Sequence, residues 1–179
     1  VAICLNELAL LHQNQGHYDQ AEPFYTRALA IMEREFGRDH IRVALQCNNL
    51  ALLYDSLGRP EEAEPMYRQA LENYEQALGP DHPDLARSLN NLALLYDRMG
   101  RPRDAEPLFE RAVEINTAAL GPDHWHVAIC LNNLAVVYTH QKRFAEAGPV
   151  FQRALAIYEN ALGPDHPRYA RTLFRYAQW

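Results

Sequence analysis

Gly79-Pro80-Asp81-His82-Pro83, then DLARSLNNLALLYDRM (84–99), then Gly100-Arg101-Pro102, then RDAEPLFERAVEINTAAL (103–120): this stretch decides the fold, because nearly all the rest of the chain copies it. Displacing the sequence by 42 residues superimposes Gly37, Gly79, Gly121 and Gly163, then Asp39, Asp81, Asp123 and Asp165, then His40, His82, His124 and His166, without a gap. An ungapped period of this length marks a repeat array, in which each helical unit buries its apolar face only by stacking on its neighbours.

Within the stretch, Asp81 reads as a helix N-cap, Asp84 as its capping-box partner and Pro83 as a first-turn residue. Leu85, Ala86, Leu89, Leu92, Ala93 and Tyr96 then recur at helical spacing, and Gly100 supplies a left-handed stop. Pro102 starts a second helix, whose apolar residues Ala105, Leu108, Phe109, Ala112, Val113 and Ile115 run on until Gly121-Pro122. Pro23, Pro65, Pro107 and Pro149 fall inside the second helices, where a slight bend or a loose first turn is expected. Ala21, Ala63, Ala105 and Ala147, with Ala28, Ala70, Ala112 and Ala154, provide small contact points, and Tyr54 with Tyr67 or Tyr96 with Phe109 are the matching large pieces. The expected fold is all-α, a right-handed α-solenoid of antiparallel helix pairs. It forms one domain over 1–179, with repeats at about 1–36, 39–78, 81–120 and 123–162 and a partial fifth at 165–179.

The positions of Leu89, Leu92, Ala93, Tyr96, Gly100, Ala105, Phe109 and Ala112 resemble the signature of the tetratricopeptide repeat (TPR). The usual repeat has about 34 residues. The longer one here, with its Asn-Asn-Leu-Ala and Leu-Gly-Pro-Asp-His-Pro phrases, resembles the 42-residue kinesin light chain-like type. That resemblance implies a protein-interaction array whose first helices line a concave side, where asparagines hold a ligand backbone. It also implies short ligand motifs with a tryptophan among acidic residues.

Advancing about 100° per residue around the first helix, the side opposite the core receives Arg87, Asn90, Asn91, Leu94, Asp97 and Arg98. Through the array this becomes a row of Leu10, Leu52, Leu94 and Val136, flanked by Asn6, Asn48, Asn90 and Asn132 on one side and by Asn49, Asn91 and Asn133 on the other. An amide both donates and accepts, so such a ladder suits the backbone of an extended peptide, and the aliphatic row suits its apolar side chains. The alternative is that the amides bond between repeats and hold the stack together. Arg87, Arg98 and Arg171 lie on this face and Arg59, Arg101 and Arg143 at its edge, against Glu7, Asp55 and Asp97, which favours an acidic ligand.

A net charge of -6 argues against nucleic acid as a partner, and no apolar run reaches the roughly 18 residues of a membrane span. Cys4, Cys47 and Cys130 are expected as small buried hydrophobes in a reducing, cytoplasmic setting. The recurring Asp-His pairs read as helix-start residues and not as metal ligands, because equivalent positions in successive repeats cannot converge on one ion. No phosphate loop, nucleophile elbow or HExxH motif is present, so neither catalysis nor a cofactor is expected. Val1 and Trp179 both fall in mid-pattern, which suggests a segment of something longer. Two other functions fit the same face: a sensor or autoinhibitory arm of a larger signalling protein, such as an ATPase or protease, and a self-assembling scaffold. In the second, uncapped terminal repeats give a homo-oligomer, and Phe174, Tyr176 and Trp179 either seal the last helix or dock another copy.

Overall fold

The structure is a computed structural model that describes residues 1–178; Trp179, one of the three aromatics singled out at the C-terminal end, lies outside the described residues. Among the described residues there are nine helices and no strand: α1 (Ala2–Asn14), α2 (Tyr18–Phe36), α3 (Ile41–Ser56), α4 (Pro60–Leu78), α5 (Pro83–Arg98), α6 (Pro102–Leu120), α7 (Trp125–His140), α8 (Phe144–Leu162) and α9 (Pro167–Ala177). The fold is an all-α, TPR-like helical solenoid. Two compact units divide at a repeat boundary, unit 1 being Val1–Pro80 and unit 2 Asp81–Trp179.

Each helix from α3 onward that opens a repeat is capped by histidine, not by the aspartate before it. His40, His82, His124 and His166 have extended backbones, and the Nδ1 of each accepts from the N–H two residues on, at 3.1, 3.2, 3.2 and 3.2 Å. The physical reason is the turn before it. Gly79 at φ 85 swings the chain out of α4, Pro80 and Asp81 fill the turn, and His82 is the first residue placed to face the free N–H groups of α5. A ring nitrogen that accepts carries no proton, so the proton of a neutral capping imidazole resides on Nε2.

The first helices end in a two-bond left-handed turn. In α5, Gly100 N–H bonds to the Asp97 carbonyl at 3.0 Å and Arg101 N–H to the Tyr96 carbonyl at 2.9 Å. The second helices run without interruption through their internal prolines; α6 spans Pro102–Leu120 with Pro107 inside. Ala21, Ala28, Ala63, Ala70, Ala105, Ala112, Ala147 and Ala154 are all fully buried, so the paired helices meet there without an intervening side chain. In unit 1, Ala9, Ala21, Tyr25, Leu50 and Leu53 form a core flanked by Tyr54 and Met66; in unit 2, Val127, Ala128, Leu131, Ala154, Ile157 and Tyr158 form another.

The cysteines divide. Cys47 and Cys130 are buried, and desolvation pushes their thiols up to about 12 and about 11. Cys4 is exposed, contrary to expectation. The same register position is buried at Gln46, Ser88 and Cys130, and at Cys130 it meets Asn116 of α6, whose Nδ2 donates to the sulfur at 3.4 Å; Cys4, on α1, is not covered by α2.

Candidate functional site

In unit 1 the first-helix face is built by α1 and α3. Leu10 is 48% exposed and Leu52 half-buried, with Ile3 and Leu45 exposed beside them. Asn49 Nδ2 donates to Asn6 Oδ1 at 3.1 Å, from one repeat to the next. Unit 2 repeats the arrangement on α5 and α7: Leu94 and Val136 are half-buried, and Asn133 Nδ2 donates to Asn90 Oδ1 at 3.0 Å. Asn91 is half-buried, and Arg87, Arg98 and Arg171 are exposed. The ladder drawn from the sequence is thinner by two rungs, because Asn48 and Asn132 are only 3% and 4% exposed. Asn6 and Asn90, at the same register, stay half-buried, and Asn132 Nδ2 donates to Asn133 Oδ1 at 3.1 Å.

The inter-repeat amide bonds give these asparagines a structural task, and that task does not exhaust them. Each amide has two donor hydrogens and an acceptor oxygen, so the Asn6–Asn49 bond uses one donor of Asn49 and one lone pair of Asn6. The bond also fixes which way both amides point.

The rim arginines do not belong to a free basic edge. Arg59 stacks over Tyr54 on α3, at 4.6 Å from the ring centroid, and bonds Glu22 on α2 and Glu62 on α4. Arg143 does the same over Tyr138 on α7 at 4.4 Å, bonding Glu106 on α6 and Glu146 on α8. Arg101 lies over Tyr96 and bonds Asp104. These carboxylates hold the proton affinity of Arg59 and Arg143 above its usual value, and Glu62 and Glu146 are correspondingly more acidic. Each of these arginines clasps helices together, so the charge argument for an acidic ligand loses Arg59, Arg101 and Arg143.

Arg87 and Asn90, expected from the sequence at the ligand face, share a cavity with Trp125, His126 and Arg168, which were not expected there. This cavity, of about 350 Å³ in unit 2, opens between the first turns of α5, α7 and α9, with Arg87, Asn90, Trp125, His126, Ile129 and Arg168 in its wall. Arg168 stands over Trp125 at 5.2 Å, and the Trp125 and His126 rings are 3.8 Å apart. The signal existed: the pair after each Asp-His is Ile41-Arg42, Pro83-Asp84 and Pro167-Arg168 elsewhere, and only the fourth repeat carries two aromatic rings there.

Against known families, the tetratricopeptide-repeat model matches residues 1–76, 45–118, 99–147 and 126–179, overlapping segments that together cover the chain. The chain belongs to the tetratricopeptide-repeat family. No curated protein matches it. Among solved structures this TPR array is similar to a putative kinesin light chain with nearly identical TPR-like repeats from Podosopora anserina, with a TM-score of 0.85 and 24% identity over 98% of this chain and 82% of that one. It is also similar to BtubC (BKLC) from P. vanneervenii, with a TM-score of 0.84 and 29% identity over 93% of this chain and 66% of that one. RapI in its apo form has a TM-score of 0.87 at 16% identity, over 99% of this chain and 62% of its own, a likeness of fold alone. The structural neighbours of the array thus include kinesin light chain-like TPR repeat proteins. No helix among the described residues is long and apolar enough to cross a membrane.

Proposed function

We propose that this TPR array is a binding module that holds a short, extended, acidic segment of a partner protein against the face of its first helices. Tetratricopeptide repeats mediate protein–protein interaction and are typically non-enzymatic scaffold modules. The observation that carries the finer reading is that the aliphatics of this face are not sealed: Leu10 is 48% exposed, and Leu52, Leu94 and Val136 keep part of their surface in solvent. Beside them the Asn6–Asn49 and Asn90–Asn133 pairs are oriented in advance, which lowers the cost of ordering a ligand backbone on them. Asn91, Asn133, Leu94, Val136 and Arg87 are the contacts we assign in unit 2, and Asn6, Asn49, Leu10 and Leu52 those in unit 1.

The test is a peptide-library selection on the chain, repeated with Leu94→Glu and with Leu10→Glu. Acidic, aromatic-containing peptides should be enriched, should be lost when Leu94 becomes glutamate, and should bind more weakly as salt rises. Enrichment that survives both substitutions would remove the face from consideration, and salt-independent capture would remove the acidic preference.

A further inference from the structure

We propose that the cavity between the first turns of α5, α7 and α9 is an anchoring pocket for a single carboxylate, and that its grip is coupled to protonation of His126. This rests on the peptide-binding reading above and supplies that reading with a specific anchor.

The pocket is divided by chemistry. Pro83, Ala86, Trp125 and Ile129 supply an apolar wall, and Arg87, His126, Arg168 and Asn90 supply donors. Asp84 is the only carboxylate lining it among the described residues, and it lies 3.3 Å from Arg87. Two guanidinium charges against one carboxylate leave one positive charge uncompensated, on a chain whose net charge is -6. A single excess charge matches a carboxylate better than a doubly charged phosphate group. The volume, about 350 Å³, is at the small end of ligand pockets and suits one side chain or chain end with its neighbour. Arg87 remains 54% exposed, so the donors are reachable from solvent.

His126 makes the pocket sensitive to pH. It shares the cavity wall with Asp84 and Arg87 from α5, Arg168 from α9 and Cys130 of its own helix, and the His124 ring lies 5.0 Å away; α6 contributes the uncharged Asn116. From α8, the Tyr158 hydroxyl lies close enough to Arg168 to feel its charge. Burial, and then His124, Arg168 and Arg87, lower the proton affinity of the free imidazole. A bound carboxylate supplies the negative partner that the imidazolium lacks, so binding takes up a proton and strengthens as pH falls.

The experiment follows the Trp125 indole N–H, the His126 ring and the Ile129 methyl groups by NMR during titration of the whole chain with three acetylated Ser-Leu-X-Leu-Ser probes. One has X as Glu and an amidated end, one has X as Gln and a free C-terminal carboxylate, and one has X as Gln and an amidated end. A carboxylate probe should move all three reporters while the uncharged probe does not; which one does so separates a side-chain from a chain-end ligand. Binding should tighten about threefold to tenfold between about pH 7.5 and about pH 5.5. His126→Gln should abolish that dependence, and Arg87→Gln should weaken binding about tenfold at either pH. The pocket is refuted if the uncharged probe acts equally, if carboxylate probes perturb only residues elsewhere, or if the pH dependence survives His126→Gln. Library peptides that still depend on Leu94 would in that case leave the broader reading standing. If no peptide binds in either experiment, both fall.

Discussion

At one position of the repeat the chain breaks its own rule. The left-handed residue after each first helix is Gly16, Gly58 and Gly100, at φ 77, 69 and 72, but in the fourth repeat it is Lys142 at φ 62. An L side chain there brings its Cβ too close to the neighbouring carbonyl, at a cost of about 1–2 kcal/mol, of which the greater unfolded freedom of glycine takes back part. Lys142→Gly should therefore stabilise the protein by roughly 0.5–1 kcal/mol, read as a higher urea midpoint at unchanged slope. A lower midpoint would mean that the lysine side chain has a contact worth more than the strain. His126 is the second such residue. Its proton affinity in the fold is depressed, by burial first and then by His124, Arg168 and Arg87, so the stability it contributes is complete above the unfolded value of about 6.5 and is lost as pH falls through the lower folded value. Urea midpoints compared at about pH 7.5 and about pH 5.5 should fall less for His126→Gln than for the parent chain. Both residues stand plainly in the sequence as departures from the period. Which of them is strained and which lines a cavity is a matter of backbone angle and neighbours.

Helix ends and helix pairing were legible because they depend on local spacing. The start of α5, by contrast, was misread by one residue, since Asp81 is the better N-cap by type and only the turn geometry after Gly79 hands the cap to His82. Two substitutions separate packing from polar bridging. Ala105 is fully buried where α5 and α6 meet, so Ala105→Leu should cost about 1–3 kcal/mol through overpacking. Asn133→Ala removes the bond to Asn90, a partly buried bridge between α5 and α7, and also the acceptor of the buried Asn132 amide, and should cost about 1–2 kcal/mol. Thermal or urea unfolding with circular dichroism checks both. An Asn133→Ala loss as large as that of Ala105→Leu would make the asparagine pair chiefly a fastening, and an unaltered Ala105→Leu curve would contradict the helix pairing.

Over the whole molecule, each unit carries a built-in reporter of its own opening. Cys47 lies in unit 1 and Cys130 in unit 2, both buried with thiols pushed well up, while Cys4 is exposed. Under native conditions a thiol reagent should modify Cys4 alone at an appreciable rate, because reaction requires the thiolate and access to it. Mass spectrometry after a pulse in increasing urea should then show Cys47 and Cys130 labelled as their own units open; rapid native labelling of either would mean that its helix pair opens readily in the folded state. The sequence by itself determined the repeat, its two helices, the small-against-large packing and the face on which amides and aliphatics recur, because all of these follow from residue type and from spacing within one period. Only the tertiary structure decided what each repeated position meets. The Asn6–Asn49 bond joins residues 43 apart and the Arg143–Glu106 pair residues 37 apart. A period states that positions are equivalent; it does not say that Asn132 turns inward while Asn133 bridges, or that Arg87, His126 and Arg168 close around one cavity. Those outcomes depend on how far one helix pair advances over the next, a distance set by side-chain volumes in the seam and not written in any single repeat.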